Sequence, residues 1–193
     1  MKEKVKLRLN DNEYDLQNIF ITGNTQCGKT TIARSFISQL QKEEIEIYVV
    51  GDKAYVDYRD LNVHICDAIN LRHVYYIYGW NRELKKRMVE GYSSLKVIII
   101  DDVTSLLYYP TNTDESINRL CYLVQNGPKY GMYFIILSQR ICKSTFKSEF
   151  RKNTSLHIYM RCNNAEESRF LIGNDSLVSL KRGEFKIESY INY

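Results

Sequence analysis

Apolar and polar positions alternate at the start of the chain. Val5, Leu7 and Leu9 interleave with Lys6, Arg8 and Asn10, which predicts an edge or half-buried strand. Asp11-Asn12 supply a turn, and a short apolar run follows at Ile19-Phe20-Ile21. Beyond Gly28 the period becomes helical, with Ile32, Phe36, Ile37 and Leu40 at spacings of three and four. Ile45, Ile47, Val49 and Val50 predict a further strand ended by Gly51-Asp52, and residues 62–66 a short one. Residues 74–78 are β-branched and aromatic-rich yet adjoin a clearly helical stretch at 82–90, so the pattern leaves their state open. The all-apolar runs 97–100 and 134–137 are those of strands buried on both faces of a parallel sheet. Between them Ile117, Leu120, Cys121 and Val124 mark a helix that ends near Asn126-Gly127-Pro128. Residues 156–160 read as a strand, 166–172 as a helical turn or two, and 184–190 as a last strand after Gly183. Strands alternating with helices predict an α/β fold, a largely parallel sheet flanked by helices.

Composition narrows this picture. At 193 residues, with no internal repeat or visible boundary, one domain spanning 1–193 is expected. The 44% hydrophobic and 26% charged fractions exclude a disordered tail or a collagen-like repeat. Nine glycines and two prolines leave no room for a low-complexity linker. The longest strictly aliphatic run, 97–100, is far shorter than the roughly 20 residues a bilayer requires, so no transmembrane segment is expected. The charged start Met1-Lys2-Glu3-Lys4 leads into alternating residues, and no signal peptide is expected. Cys27, Cys66, Cys121, Cys142 and Cys162 are scattered without zinc spacing, which suits a reduced, cytoplasmic protein. His64, His73 and His157 are too dispersed for a metal site, and Trp80 reads as a core or interface aromatic. A net charge of +4 permits a nucleic-acid partner without demanding one.

Two segments carry chemistry. Gly23-Asn24-Thr25-Gln26-Cys27-Gly28-Lys29-Thr30 matches GxxxxGK[ST] directly after a predicted strand and at the opening of a predicted helix, the context of a true phosphate loop. Its backbone N–H groups and the helix N-terminus suit phosphates, so residues 23–30 and Thr31 are the expected ATP-binding residues. Lys29 would reach the β- and γ-phosphates, and Thr30 would offer its hydroxyl to Mg²⁺. The second segment is the apolar run 97–100 followed by Asp101-Asp102, two carboxylates at the end of a strand where doubly wound sheets bind ligands. Asp101 would hold the magnesium shell, and Asp102 would orient or deprotonate the attacking water. The third apolar strand ends in Ser138-Gln139-Arg140, where Gln139 is placed to contact the γ-phosphate.

Together these segments resemble the FtsK/HerA-type ATPases, hexameric motors that move DNA. Residues 5–9 and 18–25 resemble their opening strands and phosphate loop, and Gly51-Asp52-Lys53 resembles the family's Asp-Pro-Lys. Residues 82–88 resemble the charged helix before the acidic strand, and residues 130–140 the strand leading into Thr-Gln-Arg. Asn153, His157-Ile158 and Glu167-Ser168-Arg169 stand where the family has Asn, Arg-Ile and Asp-Ser-Arg, and Gly183-Glu184 stands for Gly-Asp. The chain departs in having Asp102 for the usual Glu and His157 for an arginine. The resemblance implies a RecA-like core that hydrolyses ATP with Mg²⁺ in a ring, with double-stranded DNA as cargo and Arg169, before Arg151, as the arginine acting across a subunit boundary. Compact relatives package viral genomes, which suggests a capsid vertex or a transfer complex as a further partner. Relatives in type VII secretion move protein, and the shorter Asp102 also suits a weakly hydrolysing switch. Lys143, Lys147 and Arg151 recur every four residues and, with Lys152, form the densest basic stretch, the expected DNA contacts.

Overall fold

The computed structural model describes residues 5–67, 72–103, 114–139 and 152–190. A hairpin of β1 (Lys6–Leu9) and β2 (Asn12–Asp15) comes first. The chain then lays down β3 (Ile19–Thr22), α1 (Lys29–Leu40), β4 (Ile45–Gly51), α2 (Ala54–Tyr58) and β5 (His64–Asp67). After these come α3 (Arg72–Glu90), β6 (Leu95–Ile100), α4 (Asp114–Asn126), β7 (Met132–Ser138), β8 (Leu156–Met160), α5 (Ala165–Ile172) and β9 (Phe185–Ser189). Seven strands form one sheet in the order β5-β4-β6-β7-β3-β8-β9, parallel except for β9, which runs antiparallel on β8. This is the sheet of a RecA-like core. Among the described residues, no helix is long and apolar enough to cross a membrane.

Successive residues of the central strands supply two cores. Phe20, Ile98, Ile100, Phe134 and Ile136 pack with Ile77, Trp80 and Leu84 of α3 and with Leu120, Leu123 and Val124 of α4. Their neighbours Ile19, Ile21, Val97, Ile99, Ile135 and Leu137 pack with Ile32, Phe36, Ile37 and Leu40 of α1. Two buried faces account for the unbroken apolar runs. The segment at 74–78 is helical, because Ile77, Trp80 and Leu84 fall on one buried helix face and Tyr76 stacks on Trp80 with centroids 6.0 Å apart.

Two elements were not expected from the sequence. Strand β2 is almost wholly exposed and has no apolar alternation; it is held by its ladder to β1 and by the Arg8–Glu13 ion pair at 2.6 Å. Helix α2 is five residues long, too short to show a period. The hairpin docks on α1 through the side-chain amide of Gln39, which accepts from the Arg8 N–H at 2.6 Å and donates to the Arg8 carbonyl at 2.9 Å.

Asn18 ties three segments together. Its Nδ2 donates to the Val124 carbonyl at 2.6 Å and the Asn153 carbonyl at 3.0 Å, while its Oδ1 accepts from the Phe134 N–H at 2.9 Å. The residue is buried, so Asn18→Ala would leave backbone groups of α4 and β7 unpaired. At about 1–3 kcal/mol for each buried group left without a partner, the expected loss is about 3 kcal/mol, read as a lower midpoint at constant slope in urea denaturation.

Candidate active site

Three strand ends meet at one edge of the sheet. The register pairs Thr22 with Ser138 and Ile100 with Ile136, so the residues after β3, β7 and β6 emerge side by side. The first is Gly23, at φ 155, where a Cβ would lie 2.7 Å from Met160 Cβ and 2.9 Å from Cys27 Sγ. Only glycine lets the loop lie this close to β8. The Gly23 N–H donates to the Ser138 carbonyl at 3.3 Å and the Asn24 N–H to the Arg161 carbonyl at 2.8 Å, so both neighbouring strands hold the loop. Gly28 caps α1 without a side chain, leaving the first-turn N–H groups for an anion.

Lys29 is buried, and its Nζ donates to the Gly23 and Asn24 carbonyls, both at 2.7 Å. Burial pulls its ammonium below the usual lysine range, against the opposing pull of Cys27, Asp101 and Asp102. Asp101 is fixed at the end of β6 by its N–H bond to the Val50 carbonyl at 2.7 Å. Gly51 makes room for this turn, since a Cβ there would lie 2.7 Å from the Asp101 carbonyl oxygen. The Tyr58 hydroxyl donates to Asp101 Oδ2 at 2.6 Å, and the Thr30 hydroxyl donates to the same oxygen at 3.4 Å. Burial raises the Asp101 carboxyl above the ordinary carboxylate range; the Tyr58 bond opposes this, Asp57 and Asp102 add to it, and Lys29 offsets it. Burial and the Asp101 charge likewise push the Tyr58 phenol up. Asp102 follows at φ 66, a left-handed conformation in which aspartate is enriched among residues with a side chain.

Lys29, Thr30, Asp101 and Asp102 border a cavity of ≈ 420 Å³, a volume suited to a nucleotide. Of the expected loop residues, Thr25, Gln26, Gly28, Lys29, Thr30 and Thr31 line it, whereas Gly23, Asn24 and Cys27 do not. The Cys27 side chain turns into the core, with Sγ 3.6 Å from Met160 Sδ. Asp101, Asp102 and Gln139 join them as expected, and the Thr25 hydroxyl donates to Gln139 Oε1 at 3.0 Å. Arg169 lies elsewhere, exposed on α5 and paired with Asp175 at 2.6 Å. Lys152 is exposed and away from the cavity lining, while Arg140, Lys143, Lys147 and Arg151 lie outside the described residues. His157 is buried in a hydrogen-bonded cluster, its Nε2 2.8 Å from Thr154 Oγ1 and its Nδ1 2.9 Å from Tyr159 OH.

Asp52, Lys53, Asp57 and Arg182, which no sequence motif marks as site residues, also line the cavity. Gly51-Asp52-Lys53 was visible only as a family likeness. Arg182 had one signal, its place before Gly183, whose N–H donates to the Cys27 carbonyl at 2.9 Å and so ties the turn before β9 to the phosphate loop.

The sequence matches the AAA domain family over residues 13–142. The chain belongs to this family of P-loop ATPases. Among curated proteins none matches it. Its fold is that of several solved structures. The conjugation coupling protein TcpA of pCW3, with ATPγS, has a TM-score of 0.75 at 16% identity over 98% of this chain and 64% of that one. The type VII secretion ATPase EccC of Thermomonospora curvata gives 0.71 at 18% over 94% of this chain and 26% of that one. The genome-packaging NTPase B204 of Sulfolobus turreted icosahedral virus 2, with AMPPCP, gives 0.65 at 17% over 90% and 92%. The chain thus spans less than two thirds of the TcpA chain and about a quarter of the EccC cytoplasmic domain. TcpA and B204 are FtsK/HerA-like, in keeping with the resemblance seen in the sequence.

The crowding at Gly23 yields a direct test. Gly23→Ala should lower nucleotide affinity about tenfold or more, because overpacking costs about 1–3 kcal/mol and here moves the loop itself. Titration with a fluorescent nucleotide, beside a circular dichroism spectrum unchanged from the parent, measures the effect. An unaltered affinity would count against residues 23–30 as the phosphate cradle.

Proposed function

We propose that this chain hydrolyses ATP with magnesium and couples the reaction to movement of double-stranded DNA, working as a homo-oligomeric, hexameric ring motor of FtsK/HerA type. The observation that carries the reading is the convergence of Lys29, Thr30, Asp101, Asp102 and Gln139 on one cavity. On nucleotide binding, Lys29 exchanges its two carbonyl partners for β- and γ-phosphate oxygens. The first turn of α1 receives the phosphates through its N–H groups. The Thr30 hydroxyl and the Asp101 carboxylate, 3.4 Å apart, are hard oxygen donors of the kind magnesium takes beside phosphate oxygens. When bound, magnesium supplies positive charge against the triphosphate. Asp102 orients the attacking water and takes its proton, and Gln139 contacts the γ-phosphate, its side chain held by Thr25. The products are ADP and phosphate.

Support for DNA as cargo comes from the printed roles of two neighbours, conjugation coupling and genome packaging, and from the basic residues Lys143, Lys147, Arg151 and Lys152. Genome packaging or mobile-element transfer is the process we favour, in the cytoplasm of a host, with a capsid vertex or transfer complex as partner. Arg169 is the residue we assign to the neighbouring subunit's γ-phosphate. Its pair with Asp175 is exposed, 63% and 51% for the two side chains, and such surface pairs are worth little to either partner. The likeness to EccC supports a second reading, transport of protein.

ATPase rate measured with and without double-stranded DNA decides between the two. DNA should stimulate the parent, and Lys29→Ala should lower turnover by about 100-fold or more, as for loss of one strong electrostatic contact to the transition state. A parent that hydrolyses ATP but neither binds DNA nor responds to it would favour protein transport. Asp102→Asn, which suits the same left-handed backbone, should retain bound ATP while hydrolysis falls about 10²–10⁴-fold, the usual contribution of a general base. Single-turnover kinetics would show this directly. Replacing Lys143 and Lys147 with Ala should reduce the log–log salt slope of DNA binding by about two, one unit per phosphate contact, with DNA-independent hydrolysis unchanged.

A further inference from the structure

We propose that Tyr58 is a positioning residue for the metal, holding Asp101 so that one carboxylate oxygen is committed to the protein and the other to the magnesium shell. The inference rests on the nucleotide-binding reading of the cavity and adds a residue that the phosphate-loop and acidic-strand motifs do not contain.

The tyrosine is fully buried, at 0% exposure, and its hydroxyl meets Thr30 as well as Asp101. It donates to Asp101 Oδ2 at 2.6 Å, a short bond to a half-buried carboxylate. Thr30 donates to the same oxygen. With Oδ2 held in this way, Oδ1 would be the oxygen left for the metal's water shell. Freed of Tyr58, the carboxylate would rotate about its last bond and share Thr30 and the metal between both oxygens. Second partners of this kind orient metal-binding carboxylates and often change metal affinity 10–100-fold when removed.

The position of Tyr58 is itself determined from the nucleotide side. Helix α2 follows β4 directly, and Arg34 of α1, one turn beyond Thr30, donates to the Asp57 carbonyl and to Asp60 Oδ1, the latter at 2.8 Å. The helix that begins at the phosphate loop therefore anchors the helix that carries the phenol. Removing the hydroxyl alone, as in Tyr58→Phe, leaves the ring in the core that it shares with Ala54 and Phe36.

The test is a MgCl₂ titration of fluorescent N-methylanthraniloyl-ATP binding to the whole chain, parent against Tyr58→Phe, with a thermal melt of each. In the variant, the Mg²⁺ concentration for half-maximal effect should rise about tenfold. Nucleotide affinity in EDTA should stay within about twofold of the parent. In an Asp101→Asn background, Tyr58→Phe should produce no further shift. A parent that binds no nucleotide overturns the reading of the cavity. A parent that binds with a magnesium requirement which Tyr58→Phe leaves unchanged overturns this proposal alone. Should the variant not fold, amide hydrogen exchange in the parent supplies the second measurement. Adding MgCl₂ to the nucleotide-saturated protein should slow exchange in residues 54–58, and unchanged exchange there would count against Tyr58 as the link.

Discussion

Because β3 pairs in parallel with β7 on one side and β8 on the other, its last residue has no freedom in where it delivers the chain. Gly23 must emerge between Ser138 and Arg161, and the backbone bonds to both carbonyls hold it there. Strand β7 also pairs with β6, so it stands between the loop strand and the acidic strand as a fixed spacer. Lys29, Gln139 and Asp101 thus come from three different strand ends, and the sheet sets their separations. Side-chain hydrogen bonds then make the fine adjustments, Thr25 to Gln139 and Thr30 to Asp101. The arrangement exists because Ile98 and Ile99, Phe134 and Ile135, Phe20 and Ile21 bury consecutive side chains on opposite faces. A sheet covered on only one face would not hold its centre in this register.

The electrostatics follow from the same placement. A buried ammonium and a half-buried carboxylate face one cavity, each displaced by desolvation from its ordinary titration range and each partly restored by the other's charge. Carbonyl oxygens of Gly23 and Asn24 stabilise the Lys29 charge without neutralising it. The positive side of the site therefore combines a full charge with the partial charge of the α1 N-terminus, while the acidic side combines Asp101 and Asp102 with the nearby Asp57. Phosphate oxygens suit the first side and a hard cation the second.

Much of this was legible in the sequence because the informative features are local. The phosphate loop is a contiguous string of residue types, and the apolar runs at 97–100 and 134–137 declare strands buried on both faces. Helix α1 declared itself by Ile32, Phe36, Ile37 and Leu40, all of which are buried. What stayed hidden depends on contacts between distant segments. Strand β2 is polar along its length and becomes a strand only because β1 offers it a ladder. Residues 74–78 have strand-like composition and become helical because Tyr76 and Ile77 join the aromatic and aliphatic face around Trp80. Tyr58 was one of sixteen tyrosines, and nothing in its neighbours announces that its hydroxyl meets Asp101, 43 positions further along. Arg182 reaches the cavity lining through a turn tied to Cys27 by the Gly183 N–H.

The docking of Gln39 on Arg8 has a consequence for how copies of the chain can meet. A two-stranded ribbon has two free edges, and each is a template for another strand to add itself. At Arg8 the carboxamide of Gln39 occupies both the N–H and the carbonyl, making the pair of bonds an incoming strand would make. A helix side chain thus impersonates a peptide unit within β1, the strand of the hairpin that lies against α1. Uncontrolled edge-to-edge growth is obstructed at that rung without a proline or a bulge. A covalent change as small as deamidation of this one amide would turn its donor into a second acceptor, leave the Arg8 carbonyl unserved, and reopen the rung to aggregation.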